Sequence, residues 1–159
     1  MQLKKVALFA SVCLLVGLAF NGKANASDPQ SGTWKLNTAK SKYEPGPAPK
    51  SNTLTIEVDD KTYKLHAEGV DGKGNPTSAD FTAGFDGKDV PAKGLPYGDT
   101  VSLKRIDANT IEVTMKKGDK ALVTVKSVVS KDGKTRTSTF HGKDEAGHDV
   151  HNVAVYDKQ

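Results

Sequence analysis

Apolar residues recur at every second position in a series of short segments, and this alternation constrains the fold more than any other feature of the sequence. The intervening positions are mostly Thr, Lys, Glu, Asp and Ser, as expected for a sheet with one buried and one solvated face. After residue 26, no stretch keeps a helical spacing of apolar residues over the roughly ten positions that a helix needs. The alternating sets are Trp34/Leu36, Leu54/Ile56/Val58, Tyr63/Leu65/Ala67, Ala79/Phe81/Ala83/Phe85, Val101/Leu103, Ile111/Val113/Met115, Val123/Val125/Val129 and residues 150–156.

Short turn clusters separate these segments. Asp-Gly and similar pairs supply the positive φ angles of tight hairpins, so neighbouring segments are expected to pair antiparallel. The sequence therefore predicts an all-β, up-and-down meander of about nine strands. Consecutive hairpins favour a closed or half-open barrel, because an open sheet would expose its apolar face and both edges; a β-sandwich is the alternative. The clusters are residues 59–60, 71–76, 86–87, 107–109, 117–119, 132–133 and 145–147.

Two segments lack the alternation and are predicted to be loops. Residues 39–51 contain three prolines, which cannot donate to a sheet ladder. Residues 90–98 carry Leu95 and Tyr97 without a strand to bury them. We expect these loops to act as lids over one mouth of the barrel.

The N-terminus has the order of a secretory signal peptide. Lys4 and Lys5 precede an apolar run over residues 6–20, and residues 24–26 are the small-residue triplet Ala-Asn-Ala. The run is about fifteen residues long, shorter than the roughly twenty that span a bilayer, so cleavage is favoured over a retained anchor. We therefore predict a signal peptide over residues 1–26, a single barrel domain over residues 27–159, and a periplasmic or secreted location. Cys13, the only cysteine of the chain, would be removed with the signal, leaving no thiol for a disulfide.

Charge argues against two classes of partner. The chain has 23 basic and 19 acidic residues, and removal of Lys4, Lys5 and Lys23 with the signal leaves 20 and 19. A nearly neutral domain with interspersed signs lacks the clustered basic face of a nucleic-acid-binding protein. It also lacks a basic amphipathic helix, so no membrane insertion is expected after signal removal. The oligomeric state stays open.

The first strand carries Gly32-Thr33-Trp34, which resembles the G-x-W signature of the lipocalin-like (calycin) group. Residues 32–37, 39–43 and 152–156 also resemble uncharacterised small exported bacterial proteins of this type. The resemblance implies a barrel whose closed end is plugged by Trp34, and an exported protein, but no substrate. In lipocalins a late basic residue packs over this tryptophan; Arg136 and Lys158 are both candidates.

No motif predicts catalysis or a cofactor. There is no Gly-x-Ser-x-Gly nucleophile elbow, and the carboxylates are scattered over turns and polar faces, so the chain is predicted not to be an enzyme. His141 and His148 could meet across a turn and share a metal with Asp144 or Glu145. Since surface polar residues near turns are commoner, we predict no metal site. His148 and His151, three apart on a strand, would point to opposite faces.

The remaining candidates point to a binding protein. Arg105 continues the inward row of Val101 and Leu103, where it would pair with a carboxylate, hold a ligand's acid group or, as the favoured interpretation, lie exposed at the strand end beside Asp107. Ser127 and Asn152 also fall in inward rows. We predict non-covalent binding of a small, partly apolar ligand by Trp34, Tyr63, Phe81, Phe85, Leu103, Arg105, Met115 and Asn152.

Two alternatives use other residues. A solid barrel would act as an envelope or interaction module through an exposed apolar patch around Leu95, Tyr97 and Val128. A haem-handling or isomerase-type barrel would need an inward histidine, and His66 is predicted to point outward, between the inward residues Leu65 and Ala67.

Overall fold

Ten β-strands follow one another along residues 27–159, which are the residues that the computed structural model describes. A short 3₁₀ helix (Thr38–Lys40) follows the first strand. The predicted signal peptide, residues 1–26, lies outside the described residues. The strands are β1 (Gly32–Leu36), β2 (Ser51–Val58), β3 (Thr62–Val70), β4 (Pro76–Gly84), β5 (Asp86–Lys93), β6 (Thr100–Arg105), β7 (Thr110–Lys117), β8 (Lys120–Val129), β9 (Thr135–Lys143) and β10 (Asp149–Lys158).

Each strand pairs antiparallel with the next along the chain, and β10 pairs with β1 to close the sheet into a barrel. At the closure, Trp34 of β1 is paired with Lys158 of β10 on one side and with Leu54 of β2 on the other. The predicted meander barrel is therefore confirmed. Closure also removes the two free edges that an open sheet would leave.

Two of the ten strands, β5 and β9, contain none of the alternating apolar sets found in the sequence. The predicted loop over residues 90–98 is wrong for residues 90–93, which belong to β5, and the predicted turn at residues 86–87 is wrong because Phe85 forms the turn. β5 pairs with β6 through an irregular register between Asp86 and Asp89, which breaks the strict period of two. β9 was missed altogether, because the inward positions Arg136 and Ser138 are polar.

One end of the barrel is closed by the segment that precedes β1. Gln30 is fully buried there, and its side-chain Nε2 donates to the carbonyl of Asn109 at 2.6 Å. Ser31 accepts a hydrogen bond from the backbone N–H of Val58 at 3.1 Å. Because Asn109 lies in the turn between β6 and β7 and Val58 ends β2, the segment ties strand ends together at this end of the barrel.

Trp34 is fully buried directly above this plug, and its indole N–H donates to the carbonyl of Gln30 at 3.0 Å. The ammonium group of Lys158 lies 5.0 Å from the centroid of the Trp34 ring. Of the two basic residues considered for this position, Lys158 therefore covers the tryptophan. Arg136 points elsewhere in the interior and has other partners.

Within residues 27–159 no helix has both the length and the apolar character needed to cross a membrane.

Candidate ligand-binding site

A cavity of about 340 Å³ occupies the barrel interior. Most of its lining is contributed by inward side chains of strands on opposite walls, so the void lies within the barrel and not on its surface. The walls are largely apolar. The apolar lining residues that the strands supply are Leu54, Tyr63, Leu65, Ala67, Ala79, Phe81, Val113, Met115, Val125, Phe140 and Tyr156.

Loop and strand-end residues line the other end of the cavity. Pro49 precedes β2, and Gly94, Leu95 and Pro96 follow β5. The two segments predicted to be loops thus contribute to one cavity. Leu95 is half-buried and packs against the apolar core, which accounts for an apolar side chain in a loop.

Asn152 joins the two loops to the barrel wall. Its side-chain oxygen accepts a hydrogen bond from the backbone N–H of Glu44 at 2.8 Å, and its amide nitrogen donates to the hydroxyl of Tyr97 at 3.3 Å. Asn152 is itself buried, since it lies on the inward face of β10. It is not among the cavity-lining residues, so the structure gives it a positioning contact to both loops.

The floor of the cavity carries the buried cation Arg136. β9 directs this side chain inward, where only 2% of the residue is exposed. Its Nη1 donates to the side-chain oxygen of Gln30, and its Nη2 donates to the hydroxyl of Tyr63 at 3.0 Å. Its Nε is buried and has no hydrogen-bond partner among the described residues.

Further residues with hydroxyl groups line the same cavity. The Oγ atoms of Ser127 and Ser138 are 2.8 Å apart, and the hydroxyl of Tyr156 accepts from Asn52 at 3.2 Å. Burial raises the pKa of Tyr156 to about 12. Burial also raises the pKa of Tyr63, with the nearby Arg136 opposing the shift. Both phenols therefore keep their protons at neutral pH and can act as donors.

Of the eight residues predicted to bind the ligand, three line the cavity and five do not. Tyr63, Phe81 and Met115 line the cavity. Trp34 and Leu103 are fully buried core residues outside its lining, so they support the interior without facing the void. The cavity itself adds polar residues that the sequence pattern did not indicate, above all Arg136 and Ser138.

Phe85 and Arg105 lie together near the closed end, away from the cavity. Arg105 Nη2 is 2.7 Å from a carboxylate oxygen of Asp28, and its guanidinium carbon lies 4.2 Å from the Phe85 ring centroid. The favoured placement of Arg105, exposed beside Asp107, is therefore wrong: the side chain is 25% exposed and its partner is Asp28. The reason is that the segment before β1 folds back across this end of the barrel.

The histidines lie on the outer surface in separate groups. His141 and His151 face each other across β9 and β10, with their Nδ1 atoms 3.2 Å apart, whereas His148 contacts Asp144 at 3.0 Å. No group of three or more potential metal ligands occurs within residues 27–159. His66 lies between Asp80, at 2.6 Å, and Glu68, at 3.1 Å, on the outer face of β3, as its register predicted.

A signal for the missed strand was present on its outer face. Thr135, Thr137 and Thr139 alternate along β9, and threonine is a β-branched residue that favours strands. The alternation of Thr with Arg136 and Ser138 has the correct period of two, but its buried half is polar. A search for apolar alternation passes over such a segment.

No protein-family model and no curated protein matches the sequence. Among solved structures, the chain is similar to a redesigned β-barrel, with 15% sequence identity and a TM-score of 0.46, over 82% of this chain and 92% of that one.

Proposed function

We propose that this protein is an exported, lipocalin-like binding protein that holds a small, partly apolar ligand inside its barrel without catalysing a reaction. The observation that carries the proposal is the cavity of about 340 Å³, whose walls are mainly apolar and whose lining includes the buried cation Arg136. Small-molecule sites commonly have this design, with volumes of about 300–1,000 Å³. Most residues of the site come from the strands of the barrel wall, which holds them in fixed relative positions.

The cavity also bears on the solid-barrel alternative. A barrel that served only as a scaffold would gain stability by filling this volume, because an unfilled apolar void loses packing contacts. The surface patch on which that alternative depends is not formed. Leu95 and Tyr97 belong to the loop after β5, whereas Val128 is near the other end of the barrel, paired with Thr110 and Thr137.

The export part of the proposal depends on the sequence of residues 4–26, with its charged, apolar and small-residue regions. An exported protein with an internal cavity suits a carrier or scavenger of small molecules in the cell envelope or outside the cell. Amino-terminal sequencing of the protein recovered from the periplasm or the medium tests export. A chain that begins at Ser27 supports it, and a cytoplasmic chain that retains Met1 contradicts it.

The cavity is tested with a variant that fills it. Ala67 lines the cavity, and we expect Ala67→Phe to occupy much of the void. Ala108→Phe is the matched control, because Ala108 is exposed in the turn between β6 and β7. The probe is N-phenyl-1-naphthylamine, a neutral apolar dye whose fluorescence rises in apolar surroundings.

We expect the dye to bind the unmodified protein and Ala108→Phe equally, and Ala67→Phe at least about tenfold more weakly, a difference of roughly 1.4 kcal/mol. Circular dichroism establishes that all three proteins are folded. Equal binding by all three, or no binding by any, would contradict the proposal. Native mass spectrometry of gently purified protein then shows whether a natural ligand accompanies it.

A further inference from the structure

We infer that the ligand is an amphiphile with a single negatively charged head, such as a carboxylate, and that Arg136 at the cavity floor binds this head. The inference rests on the proposed function and adds the chemical class of the ligand. Its first support is that Arg136 is a buried cation without a counter-ion: none of the ion pairs formed by residues 27–159 includes it. A buried charge is costly unless a partner of opposite sign accompanies it.

The carboxylate of Asp28 already forms an ion pair with another cation. It pairs with Arg105 at 2.7 Å at the closed end of the barrel. The partners of Arg136 are the neutral groups of Gln30 and Tyr63. The interior therefore carries one positive charge that no side chain among the described residues balances.

The hydrogen-bonding capacity of Arg136 is also incomplete. Its Nε is buried without a partner, although Arg136 lines the cavity. Buried N–H groups are almost always paired in folded proteins, so the unpaired Nε of this cavity-lining residue leaves a hydrogen bond for another molecule to make. The planar guanidinium presents parallel N–H groups that match the two oxygens of a carboxylate.

The other polar groups of the floor are suited to the same ligand. The hydroxyl of Tyr63 accepts from Arg136 and that of Tyr156 accepts from Asn52, which leaves each phenolic hydrogen free to donate. In the Ser127–Ser138 pair, one hydroxyl hydrogen is used between the two oxygens and the other is free. The cavity lining thus offers a cation and several hydroxyl donors to an acceptor-rich group.

The apolar walls of the cavity indicate that the part of the ligand beyond its charged head is apolar. Leu54, Phe81, Val113, Met115 and Phe140 line its walls, and these side chains offer no hydrogen bonds. A ligand that places its head on Arg136 must therefore direct an apolar tail toward the loops at the other end. One guanidinium balances one negative charge, which favours a monoanion.

Arg136 does not take the place of the basic residue that covers the plug tryptophan. In lipocalins, which the sequence resembles, a basic residue late in the chain covers the plug tryptophan. In this protein Lys158 has that position. Arg136 is consequently not needed over Trp34. Its guanidinium instead lies between the plug residue Gln30 and the cavity.

The test compares three straight-chain probes of ten carbon atoms each: decanoate, decanol and decylammonium. Binding is measured by isothermal titration calorimetry near pH 7.5 on protein freed of bound lipid. The variant is Arg136→Gln, which removes the charge and keeps hydrogen-bonding groups. The matched control is Lys126→Gln, which removes one charge from the exposed outer face of β8 beside the cavity residue Ser127.

We expect the unmodified protein and Lys126→Gln to bind decanoate at least about tenfold more tightly than decanol, and decylammonium more weakly than both. Arg136→Gln should bind decanoate and decanol equally. Equal binding of decanoate and decanol by the unmodified protein overturns the inference and leaves the proposed function standing. A preference for decanoate that persists in Arg136→Gln also overturns it.

If none of the three probes binds, and the neutral dye does not bind either, the proposed function fails together with the inference. If the dye binds and none of the three probes does, only the inference fails. Should Arg136→Gln not fold, Arg136→Lys replaces it. This variant keeps the charge and loses the planar fork, so we expect it to prefer decanoate less than the unmodified protein does; an unchanged or stronger preference overturns the inference.

Discussion

The ammonium group of Lys158 lies 5.0 Å from the centroid of the Trp34 ring, and the N–H of the same ring donates to the Gln30 carbonyl at 3.0 Å. One tryptophan thus joins the last strand, the first strand and the plug that precedes it. Because the ring is fully buried, we expect its packing and its hydrogen bond to contribute more to stability than the cation above it.

Trp34→Phe should lower the free energy of unfolding by about 2–4 kcal/mol, because it leaves both a void and an unpaired buried carbonyl. Lys158→Met keeps the apolar stem and removes the charge, so its cost should be about 0.5–1 kcal/mol. Urea unfolding followed by circular dichroism measures both. Equal losses for the two variants would show that the cation matters as much as the buried ring.

The buried Ser127–Ser138 pair should behave as a unit. Ser127→Ala or Ser138→Ala alone leaves the remaining hydroxyl without its 2.8 Å partner, which we expect to cost about 1–3 kcal/mol. The double variant removes both hydroxyls, so its cost should be well below the sum of the two single costs. Urea unfolding of all four proteins completes the cycle. Additive losses would mean that the two hydroxyls do not interact.

His66 should make stability depend on pH. Hydrogen bonds from its ring to Asp80 and then Glu68 raise the pKa of His66 above its ordinary value near 6.5. A raised folded pKa gives stability that is fully present below about pH 6.5 and is lost as the pH rises through the folded pKa. The advantage of the unmodified protein over His66→Gln should therefore shrink as the pH rises from about 6.5 through the raised folded pKa of His66.

The pKa itself can be followed by NMR titration of the His66 ring protons. In Asp80→Asn the neutral amide no longer stabilises the protonated ring, so the pKa of His66 should fall toward its ordinary value. Asp119→Asn, in the exposed turn between β7 and β8, is the control and should leave the titration unchanged. An unaltered pKa in Asp80→Asn would contradict the contact.

Gly94 and Gly118 both have positive φ, but they differ in the space around them. A Cβ on Gly94 would collide with the backbone carbonyl of Ser78 in β4, whereas one on Gly118 would meet nothing within 4 Å. Gly118→Ala should cost about 1–2 kcal/mol from backbone strain alone. Gly94→Ala should cost clearly more and, since Gly94 lines the cavity, weaken binding of the apolar dye.

Urea unfolding and dye titration of the two glycine variants provide the measurement. Equal stability losses would indicate that the β4–β5 contact at Ser78 adjusts without cost. Loss of dye binding in Gly118→Ala as well would show that binding responds to global stability and not to the shape of the cavity.

The amino-acid sequence by itself determined the barrel. Apolar residues such as Leu54 and Ile56 alternate with polar ones because burial on one face of a strand imposes a period of two, and turn residues between such segments impose hairpins. The same pattern predicted that Tyr63, Phe81 and Met115 point inward, and all three line the cavity. Their inward direction depends only on local register.

Only the tertiary structure decided which polar groups meet inside. β9 carries Arg136 and Ser138 on its buried face, and burial of polar side chains leaves no apolar alternation to detect. The choice of Lys158 over Arg136 as the cover of Trp34, and of Asp28 as the partner of Arg105, depends on how the chain ends cross the closed barrel. The cavity likewise depends on the volumes of side chains from opposite walls, which become neighbours only after closure.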